Sequence, residues 1–515
     1  MGTTMRVLSV SGCFWALVTL LGCSDDETAP ASQPPQDDAG PDGSSGSGGA
    51  GGVGGSGGTG GTAGVGGAGG DGGAGGDGGI GGDGGTGGDG FAPSCGGPVF
   101  ATQACADCLD TSCCDDLTAC ENEPECKQFV ECISACDSTD SACFVDCETS
   151  YPDGQPLWAV TAMCRNKHCD AACELSFDAP CGSVMSDAAC NGCAVQSCCD
   201  ELYAAFHEPG FWRYQSCYNA CPSGNTACLY DCVSANAEGY ARWNVAATCF
   251  ETTCNDTCGG SPCGVWNDGT GADCIACEAA GPCCDGLIAQ GSSYEANLLM
   301  ACQVGCGSNN ACLLGCFEQY PDAYTEGMVN TSCRATSCSA DCASYNWSPC
   351  GNIGSDNATC DACMESSCCS ELSTLGETEA FWAWYLCLNL CSDDACRQQC
   401  AFDNTGALSP GSDTDQCLAT NCDEACNFDA GIACGFIVST DSCATCIEAS
   451  CCTASSTCND NADCKNLAQC LRVAECGNDA TCIQTCRSAF PDGTTDFDAW
   501  DTCRTTNCSA DCQPL

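Results

Sequence analysis

The chain has 515 residues, of which 66 are Cys, and its 68 acidic residues face only 12 Lys and Arg, for a formal charge of −56 at pH 7. So many thiols are tenable only where oxidation pairs them, outside the cytosol. With so few cations the chain has no basic stripe to neutralise phosphates, which argues against nucleic acid and acidic headgroups as partners. An acidic chain short of large aliphatic residues would ordinarily be disordered. Disulfides, at about 2–4 kcal/mol each, can take the place of that missing apolar volume. The acidity reads as a solvated, self-repelling surface; it permits a cationic partner or calcium without indicating either.

Residues 1–22 carry one positive charge, Arg6, and then an apolar run from Val7 to Leu21. That run is too short for a spanning helix and right for a signal peptide. It ends Leu20-Leu21-Gly22-Cys23, which resembles the lipobox of bacterial lipoproteins. The resemblance implies cleavage before Cys23, diacylglycerol on the Cys23 sulfur, and a membrane anchor of several acyl chains, enough for stable attachment. It also implies export to a bacterial cell envelope, as an outer-membrane lipoprotein facing the surface or the periplasm.

Residues 23–94 form an acidic, glycine-rich linker, with a Gly-Gly-X run from Gly48 to Gly90 broken only at Ala63. The run contains no Pro, which disfavours a collagen helix. Its aspartates, Asp71, Asp77, Asp83 and Asp89, recur every six residues, not at the nine of calcium-binding nonapeptides. The expectation is a disordered spacer with a mean span of roughly 45–50 Å.

From Cys95 the cysteines repeat, each copy opening with Cys-Gly at Cys95, Cys181, Cys263, Cys350 and Cys434. This divides the chain into repeats 1 to 5 at 95–180, 181–262, 263–349, 350–433 and 434–515, a tandem array of small domains. The first contains "CADCLDTSCC", with Cys105, Cys108, Cys113 and Cys114, and the other four copies keep the pattern. Twin C-x3-C pairs follow, as in Cys217, Cys221, Cys228 and Cys232, and each copy closes as Cys249, Cys254 and Cys258 do. All of these are candidates for structural disulfides. The outer copies hold fourteen cysteines and the inner three hold twelve, and even counts are what a disulfide framework with no thiol left over requires.

Cysteines at i and i+4 share a helical face, so two such pairs across a turn would place two short antiparallel helices side by side, a geometry that permits nested bonds such as Cys217 to Cys232 and Cys221 to Cys228 and leaves the connectivity open. In the fifth copy Cys470 and Cys476 are one residue further apart, which leaves the register there open. The twin pairs resemble those of small mitochondrial import chaperones, a likeness of geometry alone. "YPDG", "YPDA" and "FPDG", beginning at Tyr151, Tyr320 and Phe490, predict helix ends. Trp158, Trp243 and Trp500 are expected in the small cores. The predicted fold is mainly α, small and disulfide-rich: five tandem helical stapled repeats after a disordered linker.

Chemistry is harder to find. The C-C-x5-C of the first copy resembles the active-site helix of secreted calcium-dependent phospholipases, but Leu117 and Thr118 stand where that family has its His and Asp, as do Ser455 and Ser456 in the fifth copy. His168 and His207 do not recur between copies and read as packed or surface imidazoles. No βαβ pattern surrounds the C-x2-C pairs, and zinc would need thiolates that oxidation removes. No catalytic residue, metal ligand or cofactor is therefore assigned. The whole chain resembles cysteine-repeat lipoproteins of environmental Gram-negative bacteria, which implies no activity. The expected function is that of a non-catalytic, lipid-anchored surface protein, structural or binding an unidentified protein or glycan multivalently. The alternative is an enzyme or thiol–disulfide redox factor with its site in a single repeat.

Overall fold

A computed structural model describes residues 91–512 apart from 99, 101, 137–139, 175–180, 182–187, 223–224, 265–271, 308, 343–347, 349, 356, 427–430, 435 and 439–440. The signal segment, Cys23 and almost all of the linker lie outside the described residues. From Cys95 onward the chain is mainly α-helical. The departures among the described residues are a short antiparallel ribbon, Gly431–Ala433 with Phe436–Val438, in which Ile432 pairs in register with Ile437, and a single bridge between Phe91 and Phe100.

Five helices make up the first repeat: Gln103–Ser112, Cys114–Asn122, Pro124–Ala135, Ser141–Ser150 and Gly154–His168. The others follow the same plan. The adjacent cysteines explain the first break. Cys113, Cys198, Cys368 and Cys451 each end the first helix and precede the second, with φ between −126° and −128°. That bend turns two neighbouring sulfurs toward different partners. Helix four begins at an Asx cap: the side chains of Asp140, Asn225, Asn309, Asp393 and Asp479 accept from the backbone N–H of Cys143, Cys228, Cys312, Cys396 and Cys482, three residues on. "YPDG" and its variants both end and begin helices. Tyr151 and Tyr320 cap helix four at its C-terminus, and Pro321 opens Pro321–Cys338.

Sulfur closes each repeat twice. In the first, Cys105 and Cys108 of helix one and Cys113 at its end bond Cys173, Cys169 and Cys164 at the far end of the repeat, with Cα separations of 4.4, 5.7 and 5.8 Å. The second repeat does the same with Cys190–Cys258, Cys193–Cys254 and Cys198–Cys249. Helices three and four are joined by nested pairs that the spacing permits, Cys217–Cys232 and Cys221–Cys228. The fifth repeat keeps the register, with Cys470–Cys486 and Cys476–Cys482. Its extra residue is absorbed after helix Ala462–Val473, where Glu475 and Gly477 take positive φ. Cys120–Cys126 and Cys458–Cys464 tie the second turn in the outer repeats.

Two expectations need correction. The opening Cys of repeats 2 to 5 bonds the second Cys of the adjacent pair, as Cys181–Cys199, Cys263–Cys284, Cys350–Cys369 and Cys434–Cys452. In repeat 1 the equivalent residues, Cys95 and Cys114, are free thiols. The expectations of a bonded Cys114 and of no remaining thiol therefore fail. The Cys95 thiol instead donates to Asp110, whose carboxylate also accepts from the Cys95 backbone N–H.

The repeats are joined by their helices, since every disulfide among the described residues stays within one repeat. The fifth helix of each repeat packs on the third helix of the next: Gly154–His168 on Pro209–Ala220, Ala237–Thr253 on Tyr294–Cys306, Pro321–Cys338 on Glu379–Leu390, and Leu408–Asn421 on Ala462–Val473. Buried clusters consequently cross the boundaries. Leu299, Phe317 and Met328 of repeat 3 share one core with Trp382 and Leu418 of repeat 4, and Met163 of repeat 1 packs into the core of repeat 2. Each repeat thus lends apolar surface to its neighbour, as in solenoids. Trp500 is fully buried in the core of repeat 5 and Trp243 packs half-buried against that of repeat 2, while Trp158 is half-buried.

Candidate functional site

The positions aligned with the phospholipase base carry buried side chains. Leu117, at the position of the phospholipase histidine, is fully buried, and so is Ser455 of the fifth copy. Of the two imidazoles, His207 Nε2 lies 2.9 Å from Asp116 Oδ2 of the preceding repeat and its ring stacks on Tyr203. His168 meets the same Tyr203 edge-on. The cysteine triads close enough to suggest a metal, such as Cys221, Cys228 and Cys232, consist of sulfurs already in disulfides. Such sulfurs are not thiolates. Asp116, Cys164 and His207 also converge, with Cys164 bonded to Cys113.

What the sequence did not reveal is where the few cations go. Lys167 reaches Asp200 and lies over the Tyr203 ring, 4.0 Å from its centroid, so it bridges repeats 1 and 2. Arg213 approaches Asp153 at 3.9 Å across the same junction. Arg242 of repeat 2 covers Tyr294 of repeat 3, beside a buried Asn244–Asn297 hydrogen bond. Lys465 of repeat 5 contacts Asp413 at 2.5 Å, and Arg472 pairs with Asp415 of repeat 4. Among the described residues, three of the four junctions therefore carry basic side chains, and these offset the repulsion that so acidic a chain imposes between neighbouring repeats. The junction of repeats 3 and 4 relies on its shared apolar core and a Thr336–Ser373 contact.

A second polar feature lies inside repeat 3. Glu278, with no solvent exposure, accepts from Arg334 Nε at 2.6 Å. Burial pushes its carboxyl upward against the opposing pull of Arg334. Leu109, Ala194, Met364 and Ile447 occupy this position in the other repeats.

The thiol pair is the remaining site. Asp110 Oδ1 accepts from the backbone N–H of Cys95 and from its Sγ, both at 3.1 Å. Burial, then the neighbouring Cys114 and Asp110, push the Cys95 thiol up to about 12. Backbone N–H donation from Ser94, followed by the Cys95 thiol, holds Asp110 down at about 2. Cys114 opens helix Cys114–Asn122 directly after Cys113, and both free sulfurs are half-buried. Even cysteine counts concealed this pair, because counting cannot distinguish a bond from two facing thiols.

Comparison with family models, with curated proteins and with solved structures returns no match. Fold and chemistry define the class: a disulfide-rich helical repeat array of the kind made for oxidising, exported compartments. No helix among the described residues is long and apolar enough to cross a membrane.

Proposed function

We propose that the protein is a non-catalytic surface array, anchored by acyl chains on Cys23 and held away from the membrane by the glycine-rich linker. Its five repeats present acidic faces that serve structurally or bind a cell-envelope protein or glycan at several points at once. The observation that supports this reading is the pairing of intra-repeat disulfides with cores that cross the junctions, which makes the array a continuous body with repeated faces. Repeated weak contacts on such a body gain about 10²–10⁴ in avidity when geometry lets them engage together.

Two measurements on the full chain test it. Fractionation with mass analysis of the mature N-terminus should find an acylated Cys23, with Cys23→Ser moving the protein out of the membrane fraction. An unmodified Cys23 would refute the anchor. Pull-down on cell-envelope material should capture partners in a salt-sensitive manner, since an acidic array engages exposed cations; no enrichment over an acidic control protein would leave only a passive coat.

A further inference from the structure

Of the sixty-four cysteines from Cys95 onward, two stand apart. Four repeats close the loop from their opening Cys-Gly to the second adjacent cysteine, over sequence separations of 18, 21, 19 and 18. Cys95 and Cys114 hold the equivalent places and are unbonded. The opening cysteines of repeats 2, 3 and 4 are sealed from solvent, at 0, 0 and 1 % exposure, whereas Cys95 is half-buried, as is the bonded Cys434 of repeat 5. Asp110 also differs by copy: Val195, Ala279, Glu365 and Glu448 take its place.

We propose that Cys95 and Cys114 form an exchangeable dithiol–disulfide pair, trading with disulfides of small thiols while the other bridges stay closed. Cys114 is the attacking sulfur and Cys95 the resolving one, because Asp110 accepts the Cys95 thiol proton and disfavours its loss. The steps balance. The Cys114 sulfur attacks one sulfur of the incoming disulfide, the S–S bond breaks, and the first small thiol leaves with the Cys114 proton. A mixed disulfide remains on Cys114. The Cys95 sulfur then attacks Cys114, and the second small thiol leaves with the Cys95 proton. Two protein thiols are oxidised to one disulfide, and one small disulfide is reduced to two thiols. The new bond would fasten the segment next to the linker, where Phe91 pairs with Phe100, to the second helix of repeat 1. This goes beyond the surface-array reading and stands or falls separately from it, since neither anchoring nor partner capture enters its test.

The test equilibrates the full-length protein in reduced and oxidised glutathione at stepped ratios, traps thiols by alkylation, and maps them by peptide mass analysis. Cys95 and Cys114 should pass reversibly between two alkylated thiols and a linked peptide, with the disulfide-bonded cysteines from Cys105 onward unlabelled. Cys95→Ser should accumulate one glutathione on Cys114, and Cys114→Ser should trap none on Cys95. Asp110→Asn, which keeps an acceptor oxygen but removes the charge, should speed closure of the mixed disulfide several-fold with an unchanged circular dichroism spectrum. A pair that stays linked until the other bridges open would overturn the proposal, as would thiols that alkylate at every ratio. Glutathione trapped on Cys95 in Cys114→Ser would overturn the assignment of roles.

Discussion

Gly239 lies with its backbone directly against Gly210. A Cβ on Gly239 would overlap the Gly210 carbonyl and the amide of Phe211. The contact sets how closely the fifth helix of a repeat approaches the start of its third, and it recurs: Gly154 meets Glu125 and Gly493 meets Asp463 in the same way. All three stand ten residues before the cysteine that bonds the first adjacent cysteine, and Ala323 and Ala407, both buried, hold that place in repeats 3 and 4. Overpacking so tight a contact costs about 1–3 kcal/mol. Gly239→Ala should therefore lower the unfolding midpoint of the full chain. Gly192, on a helix with open space around it, is the control: Gly192→Ala should stabilise by roughly 0.5–1 kcal/mol. Equal effects of the two substitutions in thermal unfolding would refute the account.

The Glu278–Arg334 pair offers a sharper case, because repeat 4 shows the same core without charge. There Met364 and Leu418, both buried, stand where Glu278 and Arg334 stand in repeat 3. Removing one partner of a buried pair leaves the other charge uncompensated, at about 3–5 kcal/mol, whereas a well-packed apolar pair is neutral or better by about 1–4 kcal/mol. Glu278→Met alone should destabilise strongly. Glu278→Met with Arg334→Leu should recover the parent stability or exceed it, as read by denaturant unfolding of repeat 3 through hydrogen exchange. A double variant no better than the single one would show that the ion pair itself stabilises the core.

Much of this architecture was legible because sulfur imposes strict geometry. An i, i+4 spacing admits few partners across an antiparallel turn, so the nested Cys217–Cys232 and Cys221–Cys228 bonds are among those the spacing permits, though spacing alone left the connectivity open. The caps were equally open to reading, since an Asx residue three places before the cysteine recurs in every copy. The junctions were not. Whether Lys465 meets an aspartate of its own repeat or of the previous one depends on how two helices cross, and the sequence carries no periodic signal for that. Glu278 also escaped notice, because a lone carboxylate on a helix is ordinarily solvated. The unbonded Cys95 and Cys114 escaped for a different reason: their pattern is the same as in the bonded copies.

Glu251 gives the array a pH dependence. It sits on helix Ala237–Thr253 against the chain at Gly260, and burial pushes its carboxyl up from 4.5 to about 7, partly opposed by the backbone N–H of Ser261. The folded state thus holds this proton more tightly than the unfolded one. Below about pH 4.5 both states are protonated and Glu251 carries no penalty; the cost grows with rising pH and is full above about 7. Glu251→Gln should leave stability unchanged at pH 4 and raise it at pH 8, by on the order of 2 kcal/mol given the remaining solvent contact. The check is thermal unfolding of parent and variant at both pH values. A gain at pH 4 that equals the gain at pH 8 would rule out the carboxyl as its source.

The junction between repeats 4 and 5 should show what the scarce cations contribute. Arg472 and Gln469 both reach Asp415 from the third helix of repeat 5, and Lys465 reaches Asp413 one turn away. Arg472 and Asp415 are only 19 and 22 % exposed, so water and salt screen them less than a surface pair. Arg397, by contrast, pairs with Asp394 on its own helix, and both are well exposed at 50 and 82 %. Arg397→Ala should change stability by less than about 0.5 kcal/mol. Arg472→Ala should cost roughly 1–2 kcal/mol, since it leaves the part-buried Asp415 without its cation. Because no disulfide crosses the junction, the loss should be local: faster hydrogen exchange in Leu408–Asn421 and Ala462–Val473, with repeats 1 to 3 unaffected. Uniform acceleration along the chain would mean that the repeats unfold as one unit and that the junctions add no separate stability.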